Sequence, residues 1–231
     1  LPLAKRLARR FAVHVVGYRG DRGTAASLSG ATQPSDYAED LVEVLDQIGL
    51  ERPPVLGLSF GAAVALEAAC AVPGRIGPLV LFGADSRFRP SLGSTIASRV
   101  LERYPLPVDN RFLNQFFNVL HGTRPDPGPL VDFVVERCWE TDQGVVASRL
   151  RGLEHYDVGD RLWRVDSPTL IVAGDRDVVS PPARQRALAD AIAGARVATL
   201  PGAGHIGFLT HRDEVARLLV EHVRDLRPTA H

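Results

Sequence analysis

Apolar positions fall into two patterns, short unbroken runs and longer stretches with a helical period, and these alternate through the first third of the chain. Residues 2–10 read as the end of an amphipathic helix. Residues 11–17 are β-branched and apolar and are expected to form a buried strand with His14 as a core residue. The turn Tyr18-Arg19-Gly20-Asp21-Arg22-Gly23 breaks that run. After a polar loop over residues 27–34, Leu41, Val44, Leu45 and Ile48 recur at helical spacing, with Ser35 as a cap and Gly49 as a stop. Pro54-Val55-Leu56 begins another strand, residues 62–69 a second helix, and Leu79-Val80-Leu81-Phe82 a further strand. Strand, helix, strand, helix, strand at this spacing predicts an α/β fold. Its sheet is mostly parallel and covered by helices on both faces.

From residue 85 to 164 the rhythm changes. Four helical stretches (94–103, 110–120, 130–139 and 144–155) follow one another without a strand, punctuated by Pro105, Pro107, Pro125, Pro127 and Pro129. This region reads as a helical cap inserted into a core made of residues 1–84 and 165–231. Thr169-Leu170-Ile171-Val172-Ala173 restores a buried strand, residues 183–192 a helix and residues 196–200 a short strand. Residues 213–226 close the chain as an amphipathic helix.

The bulk numbers narrow the functional classes. At 231 residues the chain can bury one full α/β core. Twenty-seven basic and 27 acidic residues cancel, so there is no electrostatic case for nucleic acid or an anionic membrane as a partner. No run is long and apolar enough to span a bilayer. Cys70 and Cys138, the two cysteines, lack metal-ligand spacing and lie in apolar helical stretches. They are read as reduced core residues of a cytoplasmic protein, with no metal and no cofactor. The chain begins at Leu1 and contains no methionine, so it is expected not to be a complete translation product. A small-molecule substrate is the expected partner, and self-association is left open.

Candidate chemistry centres on Gly57-Leu58-Ser59-Phe60-Gly61, between a strand and a helix. Gly-x-Ser-x-Gly in that setting describes a sharp turn that lifts a serine hydroxyl above the sheet edge. Two later turns supply its partners. Gly174-Asp175-Arg176-Asp177 and Gly202-Ala203-Gly204-His205 each follow a strand, where a parallel sheet presents its carboxyl edge. A serine hydroxyl is a weak nucleophile near neutrality, so His205 is expected to take its proton and Asp177 to orient the imidazole. Asp175 and Asp85 compete with Asp177 for the second role, and Asp175 is read as holding its own turn together. The other histidines (121, 155, 211, 222 and 231) are expected at helix ends or solvated positions. The Phe60 N–H is the expected donor to the oxyanion. Phe112, Phe116 and Trp139, with Phe88 and Phe117, would line an acyl pocket, although aromatic residues at helical spacing more often reflect packing.

With these motifs in order Ser59, Asp177, His205, the chain resembles the α/β-hydrolase superfamily, specifically its cap-bearing serine hydrolases. The likeness runs from the Arg19-Gly20 turn through the elbow and the Gly-x-x-Asp turn to Gly204-His205-Ile206-Gly207-Phe208-Leu209. It implies an eight-strand sheet of spatial order 1-2-4-3-5-6-7-8 with a cap after strand six. The family's Asp-x-Arg-Gly-x-Gly turn has lost its first Asp here, where Gly17 stands, and its last Gly is displaced. On this resemblance residues 11–17 are strand four, while strands one to three and a His-Gly loop carrying the second oxyanion donor would precede Leu1. The sequence is therefore expected to be part of a longer active protein, and to fold poorly with little activity if taken alone. The implied activity is hydrolysis of an ester, lactone or thioester of a small, largely apolar substrate through an acyl-enzyme on Ser59. C–C bond hydrolysis and cofactor-free haloperoxidase or perhydrolase chemistry use the same constellation and are the alternatives. Epoxide hydrolases and haloalkane dehalogenases are disfavoured because they carry Asp where this chain has Ser59. A ligand-binding protein that retains the fold without turnover is the further alternative.

Overall fold

The computed structural model describes residues 2–21, 23–24, 33–90, 92–104, 118, 120–122, 128–138 and 142–226. Within them four strands, β1 (Val55–Leu58), β2 (Leu79–Phe82), β3 (Thr169–Gly174) and β4 (Arg196–Leu200), pair in parallel in the order β1-β2-β3-β4. This is the order that the resemblance implies for its last four strands. Because each parallel strand must return to the same end, the connections carry helices. Helices α1 (Pro2–Leu7) and α2 (Pro34–Gln47) precede β1, α3 (Phe60–Ala71) joins β1 to β2, and α4 (Leu92–Arg103), α5 (Pro129–Cys138) and α6 (Gln143–Leu153) lie between β2 and β3. After β3 come α7 (Pro182–Asp190), α8 (Gly207–Thr210) and α9 (Arg212–Asp225).

Alternation along the strands sorts the core into two layers. Leu79, Leu81 and Ile171 point to one face, where they meet α2 through Tyr37, Leu41 and Leu45 and α3 through Val64, Leu66 and Ala68. Val80, Phe82, Leu170 and Val172 point to the other, against Leu3 and Leu7 of α1 and Val215, Leu219 and Val223 of α9. Nine consecutive residues of α3, from Ala62 to Cys70, are buried, which small side chains allow in a helix enclosed on all sides. All six residues of β3 are buried between two neighbours. β1 pairs with β2 alone among the described residues, and its leucines are only partly covered.

Residues 11–17 correct the sequence expectation. They form no strand, and Val13 and Val15 are 36% and 63% exposed. Only Phe11 and Val16 lean on the two core layers. A β-branched run favours an extended backbone, but a strand exists only where its N–H and C=O groups meet a partner. His14 is accordingly exposed. Two histidines err the other way. His121 is 6% exposed, and His222 is 3% exposed, accepting from Arg196 and donating to the Pro168 carbonyl at 3.0 Å each. Among the described residues the sheet thus has four strands, against the five that the sequence reading placed in this chain.

Candidate active site

Ser59 sits between the end of β1 and the start of α3 with φ 52° and ψ −115°, the one non-glycine residue of positive φ among those described. Such a conformation costs an L-residue about 1–3 kcal/mol and persists only where the surroundings impose it. Here the Ser59 N–H donates to the Phe82 carbonyl of β2 at 2.9 Å, and its own carbonyl accepts from Ala62 at 2.8 Å as α3 begins. Gly57 makes the tight crossing feasible. A Cβ there would lie 2.7 Å from both Ala62 Cα and the Gly61 oxygen, backbone atoms that cannot move aside. The strain lifts the hydroxyl to the carboxyl edge of the sheet.

The other two turns meet it there. Ser59 Oγ lies 2.6 Å from His205 Nε2, and His205 Nδ1 lies 2.9 Å from Asp177 Oδ2 and 3.2 Å from Oδ1. With Nδ1 protonated, the imidazole donates to the carboxylate and accepts from the serine hydroxyl at Nε2. Asp177 is 2% exposed and His205 5%, so the pair is screened from water. Asp177 Oδ1 also accepts the N–H groups of Val179 at 2.9 Å and Ser180 at 2.8 Å, which hold the carboxylate before any proton moves. Neither rival acid reaches the ring. Asp175 accepts from the Gly202 N–H at 2.7 Å and so ties the two turns together, while Asp85 pairs with Arg184 at 2.8 Å.

Phe60 is the first residue of α3, and its N–H meets no acceptor among the described residues. A free N–H at a helix N-terminus carries the positive end of the helix dipole, which suits a developing oxyanion. Its ring is held by an aromatic cluster absent from the sequence reading. Tyr18 and Tyr37 meet Phe60 edge-on at centroid distances of 5.8 and 5.1 Å. The Arg149 guanidinium of α6 lies 5.5–5.8 Å from the three rings and donates to Asp21 at 2.8 Å. Burial pushes the Tyr18 hydroxyl up to about 12, against the opposing pull of Arg149. Tyr18 adjoins the Arg19-Gly20 turn that was legible as a motif, but nothing in local sequence marks Arg149.

The segment between β2 and β3 touches the site at a second place. Ile206, next to His205, donates its N–H to the Leu120 carbonyl at 3.1 Å, and Val134 of α5 packs with Ile206. Phe112, Phe116 and Trp139, the expected pocket residues, lie outside the described residues, as does Phe117. Phe88 packs against the core layer that contains α3. A broad depression of about 500 Å³ lined by residues 209–214 contains none of Ser59, Asp177 and His205. Among the described residues no helix is long and apolar enough to cross a membrane.

Residues 1–218 match the Alpha/beta hydrolase family, and the chain belongs to it. A pimeloyl-[acyl-carrier protein] methyl ester esterase of Stenotrophomonas maltophilia (strain R551-3) is 31% identical over 239 residues, covering 98% of this chain and 88% of that protein. A putative carbamate hydrolase, RutD, of Stutzerimonas stutzeri (strain A1501) is 24% identical over 97% of this chain and 86% of its own length. Among solved structures, a thermophilic esterase from Thermogutta terrifontis superposes with a TM-score of 0.78. It shares 22% identity and covers 91% of this chain and 78% of that one, a likeness of fold.

Proposed function

We propose that this α/β hydrolase is a serine esterase. It would cleave an ester, lactone or thioester of a small, largely apolar substrate through an acyl-enzyme on Ser59, without a cofactor. The observation that carries this reading is the 2.6 Å approach of Ser59 Oγ to His205 Nε2 at a strained turn. As Oγ attacks the substrate carbonyl carbon, Nε2 takes its proton, and Asp177 stabilises the imidazolium that forms. The Phe60 N–H faces the negative charge on the tetrahedral oxygen. Collapse expels the alcohol or thiol, which receives the proton from Nε2, and a water activated by His205 then releases the acid. A methyl ester and a carbamate, the groups named for the two relatives, both present a carbonyl carbon bonded to a heteroatom, which supports this bond class. The helices α4, α5 and α6 would act as the cap that sizes the substrate, with Phe112, Phe116 and Trp139 as candidates for the acyl pocket.

A panel of p-nitrophenyl esters of increasing acyl length tests the reading. Short to medium chains are expected to turn over fastest, with a burst of nitrophenolate equal to the enzyme concentration where deacylation limits. A clear preference for very long chains would contradict the small pocket. Absence of turnover across the panel would contradict the esterase.

A further inference from the structure

The acid and the base both rest on one peptide unit at the end of β2. Gly83 follows Phe82 with φ 63°, and a Cβ built on it would lie 2.8 Å from His205 Cε1, 3.0 Å from His205 Nδ1 and 3.5 Å from Asp177 Oδ2. The bare Cα of Gly83 is therefore the floor under the imidazole and its carboxylate. The carbonyl of the same residue accepts the Ser180 hydroxyl at 3.0 Å in a fully buried bond that spans 97 residues. Ser180 in turn gives its N–H to Asp177 Oδ1 at 2.8 Å, and its carbonyl accepts the Gln185 amide at 2.6 Å. Gln185 is fully buried. The loop bearing the carboxylate is thus fixed to β2 at one point and to α7 at another.

We infer that Gly83 and Ser180 are positioning residues for this site: the Ser180 hydroxyl locks the acid loop onto the Gly83 carbonyl while the missing Gly83 side chain seats His205. The inference rests on the proposed roles of Ser59, Asp177 and His205. Its logic is geometric. The carboxylate keeps its two N–H donors without the Ser180 hydroxyl, but the loop that carries them can then shift relative to the end of β2, where Gly83 seats the His205 ring. A shift of a few tenths of an ångström lengthens the serine–imidazole contact, which slows proton transfer without touching substrate binding. Bulk at Gly83 acts more directly, since it meets the ring itself in a backbone conformation that strains any L-residue.

Ser180→Ala removes one oxygen from a site it otherwise fills. It is expected to lower kcat by about tenfold, the loss expected for one misaligned buried hydrogen bond, with KM unchanged within about twofold. Gly83→Ala is expected to lower kcat by about a hundredfold or more. Turnover is expressed per site labelled by a fluorophosphonate, so unfolded protein reduces the number of sites and leaves turnover per site unchanged. A Ser180→Ala protein with wild-type kcat per labelled site overturns the inference while leaving the esterase reading intact. Failure of the wild-type protein to label at Ser59 overturns that reading instead. Ser180→Cys keeps the shape of the side chain at a slightly larger size and weakens the donor, and serves if the alanine variant does not fold. Its kcat is expected between those of Ser180→Ala and wild type, and a value equal to wild type contradicts the lock.

Discussion

The two halves of the site are held by different forces. Around Asp177 and His205, both buried, the anchors are hydrogen bonds, enclosed at Ser180 and Gln185 and nearer the surface at Val179 and Gly202. These loops follow β3, which is buried along its whole length, and β4, which pairs with β3 alone among the described residues. On the other side, Ser59 follows β1, which pairs on one side only among the described residues. Its strained backbone is held by the Ser59 N–H bond to Phe82, a glycine crossing and a cluster of three rings under a guanidinium. The contrast teaches that geometry in the first half depends on buried hydrogen bonds as well as on the bare Gly83 seat, and in the other mainly on shape. Loss of a hydrogen bond is therefore expected to hurt the first half, and added volume both, at Gly83 in the first and at Gly57 in the second.

The largest effect tests both halves at once. Ser59→Ala removes the proposed nucleophile and is expected to reduce kcat by roughly 10⁵–10⁶-fold with the melting temperature unchanged. Asp177→Asn keeps an oxygen for the Val179 and Ser180 N–H groups but can no longer fix the imidazole tautomer. A loss of about 10³–10⁴-fold in kcat with retained folding is expected, and steady-state kinetics beside thermal melts check it. Gly57→Ala probes shape alone. The added Cβ would strike α3 backbone at 2.7 Å, so destabilisation of about 1–3 kcal/mol is expected, together with a loss of activity as Ser59 is displaced.

The smallest effect concerns Tyr18. Its hydroxyl is pushed up to about 12 from 10 by burial, so the folded state favours the neutral phenol. The unfolded chain begins to ionise near pH 10, so this contribution to stability is complete below pH 10. It is lost as pH rises towards 12. Melting temperatures between pH 9 and 12 are expected to fall less steeply in Tyr18→Phe than in wild type. Arg149→Met removes the one group that pulls the phenol down, so Tyr18 is expected to ionise at still higher pH in that variant.

Much of this arrangement was legible in the sequence because its signals are local. The elbow needs a strand, two glycines and a helix within about fifteen residues, and the Gly-x-x-Asp and Gly-x-Gly-His turns each abut a recognisable strand. The observed α4, α5 and α6 overlap three of the four helical stretches read after residue 85, and the fourth, 110–120, is largely outside the described residues. What escaped depends on distant partners. Residues 11–17 have the composition of a strand, but composition says nothing about whether a neighbouring strand is there to pair with. Arg149, Gly83 and Gln185 carry no motif, since their importance arises from contacts with residues up to 131 positions away, as for Arg149 and Tyr18. His222 looked solvated because helix periodicity does not reveal that Arg196 and Pro168 close over it.

The central claim is that a strained serine and a buried histidine–aspartate pair form one reactive unit. The most direct measurement is peptide mass mapping after exposure to a fluorophosphonate, on wild type and on His205→Ala. A single adduct on Ser59, formed quickly in wild type and at least about a hundredfold more slowly in the variant, is the expected result. An adduct at another serine, or labelling of Ser59 at the same rate without the imidazole, would contradict it.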